Sequence, residues 1–143
     1  MTVGTKAKHL FSGGHGFLEA ARSLLILKPN GLIHWPAVYV NLCYALELSL
    51  KAYIFHRGET EKTLRIIGHD LVVALDTAKR LGYIPPTDKL AELVLLLKDS
   101  HKDHSLRYLK DETIDLPEDH DFVIWIVDEH FKALAKQIPI TSL

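Results

Sequence analysis

The residues best equipped for chemistry fall in three short clusters: Glu47 and Lys51 in the run Asn41 to Gly58, His69 and Asp70 in Gly68-His69-Asp70-Leu71, and Arg107 beside Tyr108. At about 100° per residue, Tyr44, Glu47 and Lys51 share an arc of about 60° on a helix, with Asn41 and Leu48 beside them. Glu47 and Lys51 stand four apart in the favourable orientation, a pairing that contributes about 0.2–0.5 kcal/mol on a surface helix. Two readings stand. The stripe is solvated and carries one ion pair, or it is a buried or cleft-lining network in which each charge needs a partner. The apolar character of the rest of this helix favours the second.

Converged in one cleft, these groups would bind a phosphate or an RNA backbone. Arg107 offers a planar fork for phosphate, Lys51 a point charge, and Tyr108 a donor or a stacking face. His69 suits proton transfer near neutral pH, with Arg107 as its cationic companion. Glu47 and Asp70 orient the set, and Tyr44 lies on the same helical face as a further binding residue. The competing reading is structural: His69-Asp70 caps a helix, Glu47 pairs with Lys51 or Arg107, and the network fixes how three helices pack.

Nine His residues invite a metal reading. His101-x-x-His104, with Asp99 and Asp103 nearby, has a chelating spacing, but polar helix ends are often His-rich and no matching ligand pair stands out elsewhere in the sequence. No metal site and no cofactor is therefore expected. Ser12-Gly13-Gly14-His15-Gly16 lacks the Lys and Ser/Thr of a phosphate loop and reads as a flexible break. Cys43 lies in an apolar helix without a neighbouring base and reads as an inert core thiol, and no Ser has a nucleophile-elbow context.

Glu47-Leu48-Ser49-Leu50-Lys51, Gly68-His69-Asp70-Leu71 and Arg107-Tyr108 occur in the order and spacing of the bacterial HEPN-domain family, which this chain resembles from about Val38 to Tyr108. The resemblance implies a bundle of four or five helices, frequently dimeric, from families tied to RNA cleavage, toxin–antitoxin pairs, phage defence and nucleotide handling. Catalytic members resemble one another in an Arg followed by four to six residues and a His. No Arg here meets that spacing: Arg65 precedes His69 with only three residues between, and Arg107 has no His until His120. The expectation is a noncatalytic or weakly active module for RNA or a nucleotide, as a homodimer or with a partner protein. The alternatives are a metal-independent ribonuclease that pairs Arg65 or Arg107 with His69, and an antitoxin-like scaffold.

The elements that must hold these residues read as helices throughout. The first is expected from about Thr5 to Leu27, weakened at Gly13, Gly14 and Gly16, each costing about 1 kcal/mol relative to Ala. After the Lys28-Pro29-Asn30-Gly31 turn, Pro36 opens a second helix that runs to about Arg57 and stops at Gly58. Gly68 ends one helical turn, Asp70 caps the next helix, and Gly82 with Pro85-Pro86 closes it. Thr87 caps a fourth helix that fades between Asp99 and His104, Ser105 to Leu116 is loop-like, and Pro117, Glu118 and Asp119 open the last. Trp125 falls off that last helix's apolar stripe, which suits either simple burial or a subunit interface.

Composition bounds the rest. A chain of 143 residues makes one domain, 1–143, expected to be an all-α bundle. Seventeen Lys and Arg against 18 Asp and Glu leave a net charge of −1, so any basic site must be local. One Cys excludes a disulfide framework, and no stretch approaches the roughly 20 apolar residues of a membrane span. With no apolar leader at the start, a cytoplasmic, membrane-free protein is expected.

Overall fold

Helix α2, Trp35–His56, is buried on most of its circumference, and the other helices are arranged to cover it. The computed structural model describes residues 3–27, 35–102 and 119–138. Besides α2, these residues form α1 (Val3–Leu27), α3 (Glu61–Ile67), α4 (Leu71–Arg80), α5 (Lys89–Lys102) and α6 (His120–Gln137), with no strand among them. The chain is an all-α helical bundle. Among the described residues no helix is long and apolar enough to cross a membrane.

Helix α1 runs unbroken through the glycines where a break was expected. Ala7, Phe11, Gly14, Leu18 and Ala21 form its buried stripe, and Gly14 lies where α1 meets α2. A Cβ at Gly14 would sit 3.1 Å from the Ala45 carbonyl oxygen, 3.2 Å from the Ser49 amide nitrogen and 3.3 Å from Phe131 Cζ. The missing side chain permits this close approach of the two backbones, and the packing offsets the helix-forming cost of glycine. Gly14→Val is accordingly expected to lower stability by about 1–3 kcal/mol through overpacking. Gly16→Ala, with nothing within 4 Å, should raise it by about 0.5–1 kcal/mol. Paired urea denaturation curves check both.

Side-chain caps start four of the helices, and ahead of α5 the expected Thr87 accepts from the Lys89 amide through its Oγ1. Thr60 Oγ1 accepts from the Thr63 amide, an Asp70 carboxylate oxygen from the Val73 amide, and an Asp119 carboxylate oxygen from the Phe122 amide, each cap contributing about 1 kcal/mol. Between α3 and α4, Gly68 takes φ 58° with ψ −128°, a conformation that favours glycine, and so delivers His69 and Asp70 toward α2. Helix α5 reaches Lys102, inside the Asp99 to His104 stretch where it is expected to fade, and Leu90, Leu93, Val94, Leu97 and His101 form its one buried stripe.

Val123, Ile126, Val127, Phe131 and Leu134 of α6 close the core. At its start the His120 ring stacks on Trp35, with centroids 3.5 Å apart, and its Nδ1 lies 2.7 Å from the Tyr39 hydroxyl. An Arg22–Asp128 ion pair ties α1 to α6. Phe122 and Trp125 stack on each other and remain exposed, consistent with Trp125 lying off the core stripe.

Candidate functional site

Glu47 is only 5 % exposed, which decides against a solvated stripe. One of its oxygens, Oε1, lies 2.6 Å from His69 Nδ1 and 2.8 Å from His101 Nε2, while Oε2 lies 3.3 Å from Lys51 Nζ. Burial pushes the Glu47 pKa up, but hydrogen bonds from His101 and His69 and the charge of Lys51 outweigh it and hold the value at about 2. The carboxylate is therefore ionised and acts only as an acceptor, so His69 donates from Nδ1 and His101 from Nε2.

Three elements supply this cluster: the middle of α2, the turn before α4 and the end of α5. The His69 and His101 rings meet edge to face at 5.3 Å, and Tyr44 packs edge to face on both of them. One residue further along each segment, Lys102 Nζ lies 3.7 Å from an Asp70 oxygen. Asp70 thus caps α4 and also fastens that helix to the end of α5. His101 is buried, whereas the His69 side chain is 42 % exposed and opens the cluster to solvent.

Lys51 also lines a groove of about 280 Å³ between α1, α2 and α3, together with Lys6, Leu10, Leu48, Glu61, Leu64 and Arg65. Lys6 pairs with Glu61 at 3.3 Å. The Arg65 side chain has no ion pair among the described residues. With Lys51 paired to Glu47 and Lys6 to Glu61, Arg65 is the cation that leaves this groove with one net positive charge on a chain of net charge −1. A separate cleft of about 690 Å³ is lined by Tyr53, Arg57, Ile84, Lys132 and Lys136, among others, and holds none of the residues that the sequence singles out for chemistry.

Of the residues expected to converge, the structure brings together Tyr44, Glu47, Lys51 and His69, with Asp70 adjoining. Arg107 and Tyr108, like His104 and Asp103, lie outside the described residues. His101 keeps company with Glu47 and His69, which its sequence neighbours do not suggest. Its position in the buried stripe of α5, four residues after Leu97, is the sequence signal that it faces the core.

His130 carries the same signal on α6 and anchors a second polar cluster. The Tyr83 hydroxyl lies 2.5 Å from His130 Nδ1, Ser49 Oγ lies 2.7 Å from Nε2, and Ser49 donates to the Leu46 carbonyl at 3.0 Å. Ser49 has one proton and gives it to Leu46, so it accepts from Nε2–H, and Nδ1 accepts from Tyr83. Burial pushes the His130 pKa down to about 3, leaving the ring neutral. Ser49 is fully buried, and Cys43 is likewise fully buried with its thiol pKa pushed up by burial, so neither is presented as a nucleophile. Comparison with known family models, curated proteins and solved structures finds no match to this chain.

Proposed function

We propose that this chain is a HEPN-like helical module that binds single-stranded RNA, or a nucleotide, through its phosphates in the groove of Lys6, Lys51 and Arg65, without cleaving it. The observation that carries the proposal is the position of Lys51, whose ammonium is held by Glu47 while its side chain forms part of the groove wall. That ammonium is prepositioned, and Arg65 adds a planar fork whose side chain is not engaged in an ion pair among the described residues. Leu10, Leu48 and Leu64 give the sugar or base an apolar wall.

Fluorescence anisotropy with a labelled single-stranded RNA, and with a labelled adenine nucleotide in parallel, tests the proposal. Arg65→Ala is expected to weaken binding about tenfold and to reduce the salt slope by about 0.7, the loss of one single-strand phosphate contact. Arg57→Ala, in the separate cleft, should leave both unchanged. Loss of binding in Arg57→Ala but not in Arg65→Ala would move the site to that cleft. Cleavage of the RNA in the absence of metal would favour a ribonuclease using His69, whose Nδ1 is held by a carboxylate while its ring reaches solvent.

A further inference from the structure

We propose that Glu47, His69 and His101 form a binding site for one divalent transition-metal ion of the zinc class. Each of the three offers a ligand atom within 4.8 Å of the other two, and Oε1 of Glu47 lies 2.6 Å from Nδ1 of His69 and 2.8 Å from Nε2 of His101. Two imidazoles and one carboxylate are a donor set that suits zinc, whereas magnesium and calcium prefer oxygen ligands alone. Three protein ligands leave a fourth position, and the half-exposed His69 places it on the side open to solvent.

The hydrogen bonds now joining the three groups differ from coordination by small movements. Two ligands on one tetrahedral zinc stand about 3.3 Å apart, so the contacts of 2.6 and 2.8 Å must open by a fraction of an ångström, while the two imidazole ligand atoms, within 4.8 Å of each other, must settle at the same spacing. His69 sits on the Gly68 turn, outside any helix, and is the ligand able to make that shift. Each imidazole must also present a lone pair where it now presents N–H, which a change of tautomer accomplishes without altering its charge. Around the ligands, Lys51 holds the second carboxylate oxygen, and Tyr44 packs against both rings. A bound ion would join α2, the turn before α4 and α5 through bonds in place of hydrogen bonds.

The positive charge of Lys51 opposes a cation here but favours a phosphate in the adjoining groove, so Lys51→Met separates the two activities. One zinc ion per chain should still bind in that variant, the lost repulsion offsetting the lost hold on the carboxylate, while RNA binding weakens. Titration of the metal-free full chain with Zn²⁺ by calorimetry is expected to give one ion per chain and a Kd below about 10 μM. Co²⁺ in its place should develop the visible absorption of a four-coordinate nitrogen- and oxygen-ligated ion. His101→Asn alters a buried position and can unfold the chain, so His69→Asn is the decisive variant. It should retain the helical circular dichroism of the parent and lose at least about a hundredfold in zinc affinity. No stoichiometric zinc binding below about 100 μM, or full binding in His69→Asn, overturns the site whatever the RNA measurements show.

Discussion

Glu47→Ala is expected to lower folding stability by about 3–5 kcal/mol, the range for removing one partner of a buried ionic network. The substitution strands more than a charge. Lys51, with a side chain 12 % exposed, loses its ion pair, and His69 and His101 lose the acceptor for their N–H groups. His101 is the costly one because it is buried and water does not replace the carboxylate. Glu47→Gln keeps a carbonyl oxygen but removes the charge, and a loss of about 1–3 kcal/mol is expected. Urea denaturation at neutral pH measures both. A change within about 0.5 kcal/mol for Glu47→Ala, the scale of an ordinary surface substitution, would show that the cluster does not hold the three helices together.

The second large effect is acid destabilisation through His130. Its folded pKa of about 3 lies below its ordinary value of 6.5, so the unfolded chain takes up the proton first as the pH falls. The stabilising contribution is complete above pH 6.5 and is lost toward about 3, at about 1.4 kcal/mol for each pH unit between. Glu47 acts in a lower window: its carboxylate is depressed from 4.5 to about 2, so its contribution is intact above 4.5 and is lost on going to 2. The interval from pH 6 to 5 therefore isolates His130 from Glu47. His130→Gln should fold less stably at pH 7, because Tyr83 and Ser49 lose part of their network, yet show little of the parent's slope across that interval. An unchanged slope, measured as the urea midpoint against pH, would mean that another group is responsible.

The sequence makes α2 legible as the central helix, since a run apolar on nearly every side must be covered by its neighbours. The Gly68-His69-Asp70 turn is equally plain, because glycine, a capping carboxylate and the following apolar stripe each have a local physical meaning. Gly14 is different. Read locally it weakens a helix, and only the proximity of Ala45 and Ser49 shows that it brings α1 and α2 together. Within the candidate site, Tyr44, Glu47 and Lys51 are related by helical geometry alone, and His69 by its position at a helix start. His101 is not, for its partners stand 54 and 32 positions away in sequence and meet it only when α5 folds back against α2. What the sequence does show for His101 and His130 is a polar residue in an apolar register, a sign of burial that does not name the partner.

Docking of a phosphate-bearing ligand beside the Glu47 cluster is decided by mapping amide shifts while ¹⁵N-labelled protein is titrated with adenine nucleotide. The predicted result is saturable shifts centred on Leu48, Lys51, Leu64, Arg65 and His69, with Lys6 and Leu10 following across the groove. Shifts centred on Arg57, Ile84 and Lys136, or no saturable shift at all, would contradict it.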